Sequence, residues 1–212
     1  MKKSVLLTCT LAAVLLATQA VRLLPAASAA TPPAPPPVTN PTVTLLGDSI
    51  TAGGLWANYF PAQRVLNLGV SGDTTGGMLL RLGAVLAPKP PKIFIMAGIN
   101  DLLRGRMPED VLATYGQIVA ELDGPGRRVF VESTLYVTQP WMPAVINPRV
   151  TTLNAGLRQL CEKTRRCTFV DMNNVLAPEG TLRADYTGDG LHLNQAGYEA
   201  WFATLKTRQL LD

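Results

Sequence analysis

Five short, continuously apolar runs alternate with longer amphipathic segments, and this alternation constrains the fold more than any other feature. The runs are Thr42–Gly47, Arg64–Leu68, Lys92–Ala97, Arg128–Glu132 and Thr168–Asp171. A strand that is apolar on both sides must be covered on both sides. Between the runs, Val111, Leu112, Tyr115, Ile118, Val119 and Leu122 recur at helical spacing, and Pro108 suits a first helical turn. Near the C-terminus Tyr198, Trp201, Phe202 and Leu205 share one face. Asn194 is placed to cap that helix, and Lys206 and Arg208 fall where its dipole favours cations. Strands alternating with helices predict an α/β fold, a parallel sheet with helices on both faces. In such a sheet ligands bind beyond the carboxyl ends of the strands, so functional residues are expected just after strands. No internal repeat is visible.

The start of the chain reads as separate from this fold. Lys2 and Lys3 precede an apolar run from Val5 to Val21, followed by Ala26-Ala27-Ser28-Ala29-Ala30. That is the layout of a signal peptide over residues 1–29, with cleavage after Ala29. An uncleaved anchor is the alternative, because the run is nearly long enough to span a bilayer. Either way the rest is expected to be exported, to a periplasm or outside the cell. Residues 30–41, with Pro32, Pro33, Pro35, Pro36, Pro37 and Pro41, read as a Pro-rich linker. Residues 42–212 then form one domain, long enough for its own core. The formal charge of +4 falls to near +1 without Lys2, Lys3 and Arg22, so no basic surface argues for nucleic acid. No stable membrane association is expected after cleavage. Of three cysteines, Cys9 leaves with the leader. Cys161 and Cys167 could form a local disulfide in an oxidising compartment or stay as two buried thiols. One histidine and two cysteines do not make a zinc site, and neither metal nor cofactor is expected.

Four polar motifs carry candidate chemistry. Gly47-Asp48-Ser49-Ile50-Thr51 follows the first run and could present Ser49 as a nucleophile or simply cap a helix. Asn67-Leu68-Gly69-Val70-Ser71-Gly72-Asp73-Thr74-Thr75 follows the second and could turn a backbone N–H toward a ligand, with Asp73 placed to cap the next helix. Ala97-Gly98-Ile99-Asn100-Asp101 follows the third, and Asn100 carries a neutral amide donor suited to an oxyanion. Asp189-Gly190-Leu191-His192 precedes the last helix. A carboxylate three residues before the sole histidine can hold its Nδ1–H and leave Nε2 free to take a proton. Each motif also has an ordinary reading as a turn or cap.

Taken in order, the four blocks resemble the SGNH hydrolases, the GDSL-type esterases and lipases. Ser49 matches the serine of the Gly-Asp-Ser block, Gly72 the glycine, Asn100 the asparagine, and Asp189 with His192 the Asp-x-x-His pair. The resemblance runs from Thr42 to the end. Its one small departure is Ile50, where the short name expects Leu. It implies a three-layer α/β/α sandwich with a five-stranded, flavodoxin-like sheet. It also implies a catalytic set of Ser49, Asp189 and His192 and an oxyanion hole made by the Ser49 and Gly72 N–H groups with the Asn100 side chain. Asp48, Asp73 and Asp101 read as structural. There is no Gly-x-Ser-x-Gly elbow for an α/β-hydrolase, no P-loop and no Gly-x-Gly-x-x-Gly after a strand.

The expected reaction is acyl transfer from an ester to Ser49 and then to water. A short, acetyl-like acyl group is expected because no long apolar lid stands out, with acetylated glycans among the small-molecule or glycan substrates to consider. The alternatives are a thioesterase or lysophospholipase taking longer chains, and a binding module without catalysis. Thr134–Pro148, with Tyr136, Trp141 and Met142, reads either as a wall for the substrate or as a surface loop packed on itself.

Overall fold

The computed structural model describes residues 38–211. The leader and nearly all of the Pro-rich segment read from the sequence lie outside the described residues. The strands are β1 (Val43–Gly47), β2 (Val65–Gly69), β3 (Lys92–Met96), β4 (Arg128–Glu132) and β5 (Cys167–Val170). They form one parallel sheet in the order β2-β1-β3-β4-β5, the flavodoxin-like order. Each strand ends within a residue of the apolar run that foretold it. The reason is burial on both faces: β1 is buried throughout, as are the last four residues of β3 and of β4.

The helices are α1 (Ser49–Ala52), α2 (Trp56–Tyr59), α3 (Thr75–Leu80), α4 (Leu82–Leu86), α5 (Ile99–Leu103), α6 (Pro108–Leu122), α7 (Pro143–Lys163), α8 (Asn173–Leu176) and α9 (Gln195–Thr207). In the three-layer sandwich, α6 packs with α7, α3 and α4, and α8 packs with α9. The cap read at Asn194 is present, its Oδ1 accepting from Gly197 N–H at 3.0 Å. A disulfide joins Cys161, near the end of α7, to Cys167 at the start of β5.

Residues 134–142 form a loop with Leu135 and Val137 buried, and the rest of the segment is helical. Helix α7 begins at Pro143 and runs through Pro148. An internal proline lacks the N–H for its helical bond and costs about 3 kcal/mol. Packing offsets that cost. Val150, Leu153 and Leu157 are fully buried, and buried Asn147 exchanges two hydrogen bonds with Val137 and donates a third to Gly180 O.

An aromatic cluster ties α2 to α9. Trp56 packs edge-on to Trp201 and Tyr198, with centroids 4.9 and 5.8 Å away. Beneath it Trp201 Nε1–H donates to Oε1 of Glu132, at the end of β4, at 2.5 Å. Glu132 is 2% exposed, and burial pushes its carboxyl up to about 8 despite that bond, so it is protonated at neutral pH.

This sets a pH dependence of stability. The folded state holds the Glu132 proton more tightly than the unfolded chain, whose carboxyl titrates at its ordinary 4.5. The contribution is whole below 4.5 and is lost as pH rises through about 8. Asp48 adds the same sign between 3.8 and about 6. The urea midpoint should therefore fall from pH 5 to pH 8. Glu132→Gln keeps an oxygen for Trp201 and removes the titration, so its profile should be flatter and its stability at pH 8 higher than wild type. Equal slopes for the two proteins would refute the buried proton.

Candidate active site

The five residues singled out by sequence come together at the carboxyl end of the sheet, around the point where the order reverses between β1 and β3. Ser49 opens α1 directly after β1. Asp48 caps that helix, its Oδ1 accepting from Ile50 N–H at 2.9 Å, so the Ser49 hydroxyl is not spent on the cap. Instead Ser49 Oγ lies 2.9 Å from His192 Nε2. On the other side of the ring, His192 Nδ1 lies 2.6 Å from Asp189 Oδ2.

Electrostatics decides the direction of these bonds. Partial burial works against ionisation of Asp189, but it is outweighed by hydrogen bonds from the His192 ring and from the His192 and Leu191 N–H groups. The carboxyl is held down at about 2. An ionised carboxylate only accepts, so Nδ1 must donate. In the neutral ring Nε2 is then the acceptor, and the Ser49 hydroxyl donates to it. This is the arrangement that removes a proton from a serine.

Three donor groups lie on the turns at this end of the sheet. As first residue of α1, Ser49 has no preceding turn to receive its N–H. The Gly72 N–H has no acceptor among the described residues. The loop carrying Gly72 is laid against the Ser49 turn by the bond from Val70 N–H to Gly47 O at 3.0 Å. Asn100 Nδ2 donates to Asp73 O at 3.0 Å, which brings the end of β3 to that loop and leaves its second amide hydrogen available. Arg104 Nη2 fixes the loop from outside through Gly72 O at 2.8 Å. Such a group of donors can stabilise a negative oxygen.

The other acids have structural roles, with one change from expectation. Thr74, not Asp73, caps α3, accepting from Gly77 N–H at 3.2 Å. Asp73 instead pairs with Arg81 at 2.7 Å, and Arg81 reaches Leu68 O and Gly47 O. Asp101, fully buried, accepts from Thr75 N–H and Oγ1–H and from Arg106. Burial pushes the Asp48 carboxyl up to about 6, against the Ile50 N–H and the nearby His192, and its Oδ2 has no partner among the described residues.

Tyr198, Thr187, Trp141 and Thr138 support the site in ways that the sequence did not indicate. Tyr198 OH donates to Ile50 O at 2.6 Å, holding α1 from α9; burial keeps this phenol protonated. Thr187 Oγ1–H donates to His192 O at 2.7 Å, and the oxygen accepts from Gly190 N–H at 2.9 Å. Trp141 Nε1–H donates to Asp189 O at 2.8 Å, and Thr138 N–H to Gly190 O at 2.9 Å. Gly190 has φ +85°, and a Cβ there would lie 2.3 Å from Gln139 O. Residues 138–141 thus grip the Asp-His turn. Only the Gly-Leu spacer of that turn hints at this in sequence, and it does not name the partner.

Comparison with known proteins shows the family. The model of the GDSL-like Lipase/Acylhydrolase family matches residues 45–200. The N-acylneuraminate cytidylyltransferase of Streptococcus agalactiae serotype III is 26% identical over 151 residues, 71% of this chain and 34% of that protein. The chain therefore spans about a third of the length of that relative. Esterase TesA of Pseudomonas aeruginosa is 33% identical over 105 residues, 42% of this chain and 52% of that one. Among solved structures, a lipase/acylhydrolase from Enterococcus faecalis superposes with a TM-score of 0.69 at 25% identity, covering 80% of this chain and 94% of that one. With the family model matched from β1 into α9, the chain belongs to the GDSL-like lipase/acylhydrolase family.

Proposed function

We propose that the protein hydrolyses short-chain carboxylic esters through an acyl-enzyme on Ser49. The observation that carries this reading is the unbroken series of contacts from Ser49 Oγ to His192 Nε2, 2.9 Å, and from His192 Nδ1 to Asp189 Oδ2, 2.6 Å. His192 takes the hydroxyl proton as Ser49 Oγ attacks the ester carbonyl. The carbonyl oxygen becomes an anion among the Ser49 N–H, the Gly72 N–H and the Asn100 amide. As the tetrahedral intermediate collapses, the C–O bond to the alcohol breaks and His192 returns the proton to that oxygen. Water then attacks the acyl-enzyme by the same route and releases the acid. Asp189 stays ionised throughout and stabilises the imidazolium. No metal or cofactor enters these steps.

A small acyl group suits the loop after β4. Its apolar residues Leu135 and Val137 are buried in the core, so neither is free to wall a long chain. On the strength of the leader read in the sequence, we take the enzyme to act outside the cytoplasm. A series of p-nitrophenyl esters tests the acyl preference. Turnover should peak at two to four carbons (about the size of acetyl to butyryl). A peak above about eight carbons would instead indicate a lysophospholipase or thioesterase-like enzyme, and no turnover of any ester would indicate a binding module.

A further inference from the structure

Arg81 lies outside the candidate catalytic set, between α3 and α4, yet its guanidinium reaches three separate parts of the site. Nε donates to Asp73 Oδ2 at 2.7 Å, Nη1 to Leu68 O at 2.7 Å and Nη2 to Gly47 O at 3.1 Å. Gly47 closes β1, two residues before Ser49. Leu68 lies near the end of β2, from which the Gly72 loop departs. Asp73 directly follows Gly72, and its carbonyl accepts from Asn100 Nδ2 at 3.0 Å. One planar group therefore touches the chain beside Ser49 and beside Gly72. Through Asp73 it also acts on the residue that holds Asn100.

The guanidinium is itself well anchored. Met78 and Leu82, on either side in the chain, are buried, and the Arg81 N–H donates to Met78 O at 3.1 Å. Asp73 Oδ1 accepts from Thr74 N–H at 2.9 Å, which fixes the carboxylate that Arg81 pairs. The two side chains are 24% and 11% exposed, so the pair is screened less than a surface pair. A guanidinium carries five N–H groups in a rigid plane, whereas an ammonium is a point charge on a flexible stem. A lysine here could keep the pair with Asp73 but could not also reach two carbonyls on separate strands.

The chemistry makes this placement matter. An oxyanion donor is effective about 2.7–3.1 Å from the developing charge, and a misplacement of about 1 Å can cost roughly 10²-fold in rate. The three donors follow three different strands, so no single turn fixes their spacing. Arg81 joins the ends of β1 and β2 to the Gly72 loop through one rigid group. We infer that Arg81 is a positioning residue that sets the spacing of the Ser49, Gly72 and Asn100 donors without touching substrate. The inference rests on Ser49 acting as the ester nucleophile.

A double-variant cycle on p-nitrophenyl acetate hydrolysis tests it. Arg81→Met removes the guanidinium and keeps an apolar stem. It should lower kcat by about 10²-fold and change KM by less than about threefold. Asn100→Ala deletes one donor outright and should lower kcat by about 10²–10³-fold. Because both changes act on one donor set, the double variant should fall within about tenfold of Asn100→Ala alone, far short of the product of the two losses. Arg81→Lys keeps the charge and should still lose at least about tenfold in kcat, with a urea midpoint close to wild type. Losses that multiply in the double variant would overturn the inference, as would a wild-type kcat in Arg81→Lys or Arg81→Met. If Arg81→Met does not fold, Arg81→Lys decides alone. Those results leave the Ser49 reading standing, whereas a wild type that cleaves no ester removes both.

Discussion

Replacing Ser49 by Ala should reduce kcat for p-nitrophenyl acetate by about 10⁶-fold, with the urea midpoint close to that of wild type. Both halves of that expectation follow from the local structure. Among the described residues the only side-chain bond of Ser49 is to His192, so losing the hydroxyl removes the attacking atom and no structural tie. The start of α1 survives because Asp48 caps it. The turn beyond it is held by Tyr198 at Ile50 O and by Trp56 Nε1 at Thr51 O, 2.7 Å. A fluorophosphonate should label wild type on the peptide containing Ser49 and leave the variant unlabelled. Substantial turnover by Ser49→Ala, or labelling at another residue, would show that the nucleophile lies elsewhere.

The second large effect is expected from Asp189→Asn, a change of one atom. Asp189 Oδ1 already accepts from the Leu191 and His192 N–H groups at 3.0 and 2.8 Å. An amide at this position must place its oxygen there, since its NH₂ would meet two other donors. Its nitrogen then replaces Oδ2 and donates toward His192 Nδ1. The neutral ring is driven to the opposite tautomer, with Nε2–H pointing at Ser49 Oγ and no lone pair to take the proton. A loss of about 10⁴-fold in kcat follows from this wrong tautomer. KM should change far less, because no substrate-facing group is altered. A loss of less than about tenfold would mean that Asp189 only holds the turn.

How much of this was legible beforehand differs between fold and site. Strand positions were legible because a strand buried on both faces must be written as a continuous apolar run, as in Ile93–Met96 and Val129–Val131. The helix Pro108–Leu122 was legible because its buried residues repeat at helical spacing. Helix α7 was not, because Pro148 interrupts the local signal and the offsetting contacts come from distant parts of the chain. The site residues were legible as types in order, since catalytic chemistry demands particular side chains directly after strands.

By itself, then, the sequence determined the parallel sheet, its order of elements, and the identity of Ser49, Gly72, Asn100, Asp189 and His192 as the candidate set. Only the tertiary structure decided which of Asp48 and Ser49 caps α1, that Thr74 rather than Asp73 caps α3, and that Trp141 and Thr138 hold the Asp189–His192 turn. It also decided which tautomer His192 must adopt. The physical reason is range. Apolar periodicity and turn chemistry are local and are written in neighbouring residues. A hydrogen bond between residues 48 or 143 positions apart depends on how the whole sheet is wound.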